Sequence, residues 1–403
     1  MINPARTVIS VRMISGRLKA KLLRFNAVNY FPGLSRMHKI SCRPPGLMTV
    51  LSVTLSVTFS AVAGAKMDLK SQPVLSEAEL RATYGQVDVT KPRHPAFDFS
   101  ILRPRGTEQY DLPDAEPTPS DNLAQLALFG KTGENYAIEV DVILLPREMS
   151  AAGWLAAWLE GNGYQVLDKR LTKTPAGDLA EVMATRTING IDFVYRMKTY
   201  KDGPYIFLVQ GRAPMVAYAQ HAGEIGIAVN RFALTHPTGA IAAEPLTSYD
   251  MPHPRPARFK MPASWIMSPD PVMPPNGTSL RFKAEEPSLH HVYGNMVAVT
   301  LPLSSARTAD EVETTYLAAL HAKGVTMDST KLIHMSGARD AWMAERAASL
   351  NGGPMHISTR VHRGGEGWVF FGMLMSDPNV KLLALQASAQ RALEIAEESF
   401  RWN

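Results

Sequence analysis

The chain has one cysteine in 403 residues, Cys42, and no Asp or Glu anywhere in residues 1–65. Cys42 lies ahead of a hydrophobic run, so a chain trimmed after that run carries no thiol. That excludes disulfides, cysteine nucleophiles and cysteine metal ligands. The acid-free stretch holds nine cations: Arg6, Arg12, Arg17, Lys19, Lys21, Arg24, Arg36, Lys39 and Arg43. These account for the whole formal charge of +5, and residues 66–403 are left at about −4. A nucleic-acid partner is therefore excluded, because counterion release needs a standing array of cations facing phosphates. Also missing are H-E-x-x-H, G-x-S-x-G, a Walker loop and G-x-G-x-x-G. The patterned routes to zinc, serine, phosphate and dinucleotide chemistry are thus absent, and no catalytic, cofactor or metal residue is assigned.

What the first 65 residues do contain is a targeting pattern. Lys39 and Arg43 precede the uncharged run Leu47–Phe59, and Ala61-Val62-Ala63-Gly64-Ala65 supplies small-x-small cleavage sites. The reading is a signal peptide of about 37–65, cleaved after Ala65, and a periplasmic or secreted protein with no integral span after cleavage. The alternative is a retained N-terminal anchor, since Leu47–Ala65 is 19 residues long, at the short end of a membrane span. Residues 1–36 read as an over-called start, with an organelle transit sequence as the rival.

The remainder repeats. Phe97-Asp98-Phe99-Ser100 returns as Phe259-Lys260-Met261-Pro262, and Leu155, Leu159 and Gly163 return as Tyr316, Leu320 and Gly324. Arg186 with Asn189-Gly190 returns as Arg346 with Asn351-Gly352, and Ile227-Ala228 with Phe232 as Ile395-Ala396 with Phe400. In the first copy, alternation gives a strand over 135–145, a helix over 149–161 and strands over 165–171, 180–187, 192–200 and 205–210. Asn-Gly marks a hairpin, and a helix over 216–234 closes the unit. The second copy has a strand over 296–303, a helix over 309–323, a strand pair about Asn351-Gly352, a strand over 368–375 and a closing helix over 380–400.

The fold class is α+β: two tandem domains, each an antiparallel sheet covered by an internal and a C-terminal helix. The domain limits read as 95–234 and 257–403. Residues 66–94 form a polar extension with a short helix at 76–84. Residues 235–256, with five prolines, form a linker whose prolines disfavour regular pairing.

This order resembles the PsbP-like superfamily. Phe259-Lys260-Met261-Pro262-Ala263-Ser264-Trp265 looks like its opening stretch and Glu398-Ser399-Phe400-Arg401 like its end, whereas the first copy has Ile101-Leu102-Arg103-Pro104 and Asn230-Arg231-Phe232 at those places. The superfamily includes the extrinsic oxygen-evolving protein of photosystem II, a Ran-binding nuclear import factor, bacterial envelope lipoproteins and secretion-effector chaperones. The resemblance implies a non-enzymatic adaptor of the cell envelope with an envelope or secreted protein as partner. Two other readings stand beside it: an enzyme with a site between the repeats, and a small-molecule carrier.

Candidate binding residues cluster in the second copy. Trp342, Met343, Met355, Trp368, Phe370 and Met373 form an apolar, adaptable set, readable as a partner surface or as core. His356, Arg360 and His362 alternate on one strand and share a face, read as solvated. Arg339-Asp340 and Glu345-Arg346 read as exposed ion pairs. His290-His291 point oppositely on an extended segment and lack a third ligand.

Overall fold

The computed structural model describes residues 68–403, except 71–74, 92, 114–116, 118–122, 132, 269–273, 275, 287, 289–290 and 377–381. The leader, with its cleavage site, and His290 lie outside the described residues. The first half runs α1 (Glu77–Thr83), β1 (Tyr84–Val89), β2 (Phe99–Pro104), β3 (Glu108–Gln109), β4 (Ala124–Gly130), β5 (Ala137–Leu144), α2 (Ala151–Gly161), β6 (Gln165–Thr172), β7 (Leu179–Ile188), β8 (Ile191–Asp202), β9 (Tyr205–Pro214), α3 (Met215–Asn230) and β10 (Ala233–Leu234). The second half runs β11 (Leu246–Met251), β12 (Ala257–Pro262), β13 (Ile266–Ser268), β14 (Thr278–Glu286), β15 (His291–Leu301), α4 (Ala309–His321), β16 (Val325–Met327), β17 (Ile333–His334), β18 (Ala341–Leu350), β19 (Gly353–Arg363), β20 (Trp368–Ser376), α5 (Leu383–Ser399) and β21 (Arg401–Trp402).

The two halves have the same topology. The large sheets are ordered β3-β4-β5-β9-β8-β7-β6 and β13-β14-β15-β20-β19-β18-β16, with β17 also on β18. Beside each stands a three-stranded sheet, β1-β2-β10 or β11-β12-β21. All pairings are antiparallel, so the fold is α+β as the element order implies. Both central hairpins close on Asn-Gly: Asn189 and Asn351 have φ of 51° and 52°, and Gly190 and Gly352 have 80° and 79°. Two successive positive φ values are what a tight hairpin needs to match strand twist, and Asn and Gly tolerate them best.

Strand alternation then sorts side chains to two helices. Ile138, Val140, Val142, Phe207 and Val209 pack with Tyr218, Ile225 and Val229 of α3, while Ile143, Tyr195, Met197, Ile206 and Leu208 pack with Trp154, Leu155 and Leu159 of α2. In the second half α5 covers Met296, Phe371 and Met373, and α4 covers Val361, Trp368 and Phe370. Trp265, 1% exposed, reaches against Gly294, where any Cβ would stand 2.6 Å from its ring. A residue without a side chain is therefore required opposite that tryptophan.

Two segments differ from expectation. Leu246–Met251, inside the Pro-rich stretch 235–256, is a strand paired with β12. Its prolines do not oppose this, because Pro252, Pro254 and Pro256 all fall in the connection between β11 and β12, outside the paired strand. The extension 66–94 is likewise more than a tail. β1 pairs with β2, and Leu69 is 2% exposed within the first core. A Ser76–Glu79 capping box starts α1, and Leu69 N–H donates to Asp168 at 3.0 Å.

Candidate functional site

The strip on β19 forms as alternation requires, but it is not solvated. His356, Ser358, Arg360 and His362 face α5, which brings Glu397 over them, while β18 brings Glu345. Glu345 accepts from Ser358 Oγ at 2.7 Å, stands 2.7 Å from His356 Nε2 and pairs with Arg360 at 2.9 Å. Glu397 lies 3.6 Å from Arg360 Nε and 2.9 Å from His362 Nε2. The Arg360 side chain is only 6% exposed. Burial pushes the Glu345 carboxyl up, but bonds from His356 and Ser358 and the Arg360 charge outweigh it and hold it below its ordinary range.

The expected pairing of Glu345 with Arg346 does not occur. Adjacent strand residues point to opposite faces, so Arg346 turns toward α4, where it meets Glu313. Two parallel bonds of 2.7 Å join them, Arg346 Nε donates to Thr330 O at 2.9 Å, and the side chains are 3% and 5% exposed.

The same parity divides the six apolar candidates. Trp342, Met355, Trp368 and Phe370 lie on the α4 face, and Met373 lies on the α5 face. Met343 sits opposite Arg360, on that second face. Trp368, Phe370 and Met373 are 2%, 2% and 0% exposed, and Trp342, Met343 and Met355 are half-buried. They are therefore brought together as two packed layers. Among the described residues no three His, Cys, Asp or Glu side chains are grouped to hold a metal ion.

The space between the repeats is occupied by a charged node that no motif announces. Glu148, in the turn before α2, meets Lys201 Nζ at 2.6 Å and Arg391 Nε of α5 at 3.5 Å. Glu148, Lys201 and Arg391 are 1%, 0% and 3% exposed. Lys201 also donates to Met149 O and Ala176 O, at 2.9 and 3.1 Å, and Arg391 donates to Pro175 O at 3.2 Å. Ala243 N–H donates to Glu148, whose own N–H reaches Glu244, and Glu244 in turn accepts from Ser264. Burial draws the Lys201 pKa down, against the pull of Glu148. Beside the node α2 and α5 pack so closely that a Cβ on Gly153 would stand 2.8 Å from that of Ala387.

A second unannounced group is the carboxyl pair Glu139 and Asp141 on β5. Gln210 Nε2 donates to both, at 3.3 and 2.9 Å, and Arg212 pairs with Glu139 at 3.0 Å. Asp141 is 5% exposed, and burial first, then the Glu139 charge, pushes its pKa well above the ordinary range. The signal was E-x-D inside an alternating apolar strand, which places both acids on an inward face. All four partners belong to the one sheet, the arrangement of a structural pair. Since the folded state holds this proton more tightly than the unfolded chain, the stability it gives is complete below the unfolded pKa of about 3.9 and lost as pH rises through the folded value. Asp141→Asn keeps an acceptor for Gln210 and removes the buried charge. It is expected to stabilise the protein by on the order of 1 kcal/mol at pH 8, with the gain vanishing near pH 3 in thermal melts. A gain of equal size at both pH values counts against a raised Asp141 pKa.

The exposed surface is marked by β6. Among the described residues this strand is the last of the first large sheet, and it is eight residues long, with Val166, Leu167 and Leu171 at 47%, 44% and 53% exposure. Its counterpart β16 has three residues. Asp168, Lys169 and Arg170 separate Leu167 from Leu171 along it.

No family model matches the chain, and no curated protein matches it in sequence. Among solved structures it is similar to the cyanobacterial PsbP (CyanoP) of Synechocystis sp. PCC 6803, with 9% identity and a TM-score of 0.28 over 38% of this chain and 93% of that one. LpqN, involved in cell envelope biogenesis of Mycobacterium tuberculosis, gives 11% and 0.27 over 41% and 99%. The immunity protein TplEi of the T6SS from Pseudomonas aeruginosa, complexed with "L" peptide, gives 13% and 0.20 over 79% and 98%. No helix among the described residues is long and apolar enough to cross a membrane.

Proposed function

We propose that the chain is a non-enzymatic binding module of the cell envelope, exported by a leader cleaved after Ala65, in which the domains 95–234 and 257–403 act as one rigid body. The observation that carries the reading is β6: an eight-residue strand with exposed apolar side chains that pairs on one side only among the described residues. Such an edge is a template for an added strand, with main-chain bonds giving affinity and alternate side chains giving selectivity. The partner is an extended segment of another envelope protein.

Crosslinking in the intact envelope of the native host, with mass spectrometry of what co-purifies, tests both parts. The captured form is expected to begin at Lys66. Leu167→Lys/Leu171→Lys is expected to lose the partner at least about tenfold while its melting temperature stays within about 2 °C, since both side chains are exposed. Undiminished capture by this variant, or loss only on deleting 257–403, rules out β6 as the docking edge.

A further inference from the structure

The second domain contains a cavity of about 440 Å³ between the end of β19, the loop before β18 and the C-terminal end of α5. The first domain explains why it exists. Counted from the turn glycines Gly190 and Gly352, Tyr200 and His362 hold the same place, ten residues on. In the first domain the Tyr200 ring packs on Phe232 at 4.8 Å and its hydroxyl donates to Val229 O at 2.9 Å, which fills the corner between sheet and helix. In the second, the shorter His362 reaches only to Glu397, and its Nε2, although 2.9 Å from a carboxylate oxygen, is out of line for a hydrogen bond. The chain also turns more widely there, through Gly364–Gly367, where the first domain uses Gly203-Pro204. A tyrosine's volume is absent and the turn is opened.

The walls are divided by polarity. Inside lie Val369, Phe371, Phe400 and Trp402, of which Phe371 is wholly buried. At the rim stand the exposed Arg339 and Arg401. Arg401 donates to the carbonyls of Glu398 and Phe400, and Arg339 has no ion pair among the described residues. The carboxylates do not cancel this charge. Glu397 is engaged by Arg360 and His362, leaving Asp340, next to Arg339, as the acid at the rim. Arg363 also lines the cavity, but its guanidinium lies over Trp368, 5.5 Å from the ring centroid. The volume is within the range of small-molecule sites, and an aromatic interior with a cationic mouth suits one chemical class.

We propose that this cavity binds a small amphiphilic monocarboxylate, with its apolar body against Phe371, Phe400 and Trp402 and its carboxylate on Arg339 and Arg401. The site is separate from β6 and gives the two domains different ligands. The probe is phenylacetate, with phenylacetamide as the uncharged control, titrated into the purified full chain and followed by ligand-observed NMR and calorimetry. Phenylacetate is expected to bind with a Kd of about 1 mM or tighter, and the amide at least about tenfold more weakly. His362→Tyr, which restores the side chain of the first domain, is expected to abolish binding. Arg339→Gln/Arg401→Gln is expected to weaken it about tenfold without moving the melting temperature, because both side chains are exposed and fold is not at issue. Acid and amide bound equally, no acid binding at about 10 mM, or full binding by the arginine variant overturns the proposal.

Discussion

Glu148→Ala is expected to destabilise the protein by about 3–5 kcal/mol, because it leaves the ammonium of Lys201 buried without a counter-charge. The lysine side chain is 0% exposed and its ammonium cannot turn to water, so it must either lose its proton or draw water into the core. Arg391, the contribution of the second domain to the node, is left with its bond to Pro175 O as its remaining link to the first. The change should therefore be visible in the shape of the transition as well as its midpoint. Calorimetry of the parent is expected to give one cooperative transition, and the variant two, as the domains uncouple. Glu148→Gln/Lys201→Met should recover most of the loss, since removing both charges is far cheaper than stranding one. A single transition shifted by less than about 1 kcal/mol would falsify the coupling role.

The second large effect concerns Glu313 and Arg346. Their paired bonds tie α4 to β18, Thr359 of β19 joins them through its hydroxyl to Glu313, and the Nε bond to Thr330 O fixes the loop before β17. Arg346→Ala leaves the Glu313 carboxylate 5% exposed and unpaired, at an expected cost of about 3–5 kcal/mol. Unlike the Glu148 variant, this damage is confined to one domain. Amide exchange should accelerate in α4 and β18 first, with α2 and β7 protected as before. Glu313→Leu/Arg346→Met is expected to come within about 1 kcal/mol of the parent by urea denaturation. A double variant as unstable as the single one would mean that the loop contact at Thr330, not the ion pair, carries the energy.

These two nodes also show what could be read in advance. Both hairpins, all four large helices and the strands β5–β9, β15 and β18–β20 follow from local signals, whereas β1, β4, β11 and β14 were not among the strands expected. Asn-Gly sets the hairpin registers, and period-two and period-3.6 patterns need only a few neighbouring residues. Parity along a strand was equally available, and it separates Trp368 and Phe370 from Met373 without any coordinates. It also separates Glu345 from Arg346, two residues whose adjacency in sequence suggested a pair they do not make. Glu148 was out of reach for a different reason. Its partners Lys201 and Arg391 are 53 and 243 residues away, and nothing in E148 itself distinguishes an acid at a domain junction from one in solvent. The prolines of 235–256 misdirected for lack of position, since a proline counts against a strand only where an amide would be needed. The cavity beside His362 reflects a difference between the two domains that no single stretch of sequence displays.

The small sheets have a consequence for how two such domains can follow one another in a chain. In each domain the strand after the last helix lies against the strand that opens the domain: β10 on β2, and β21 on β12. Entry and exit are thus neighbours on one side of the module, roughly 5–10 Å apart across one or two strand spacings. A second domain of this topology needs only a short connector to be set down beside the first. Neither copy has to open its large sheet or surrender a helix to admit the other. Head-to-tail joining thus suits the unit, and the two halves are free to differ where they touch and where, as at Tyr200 and His362, their side chains are not the same.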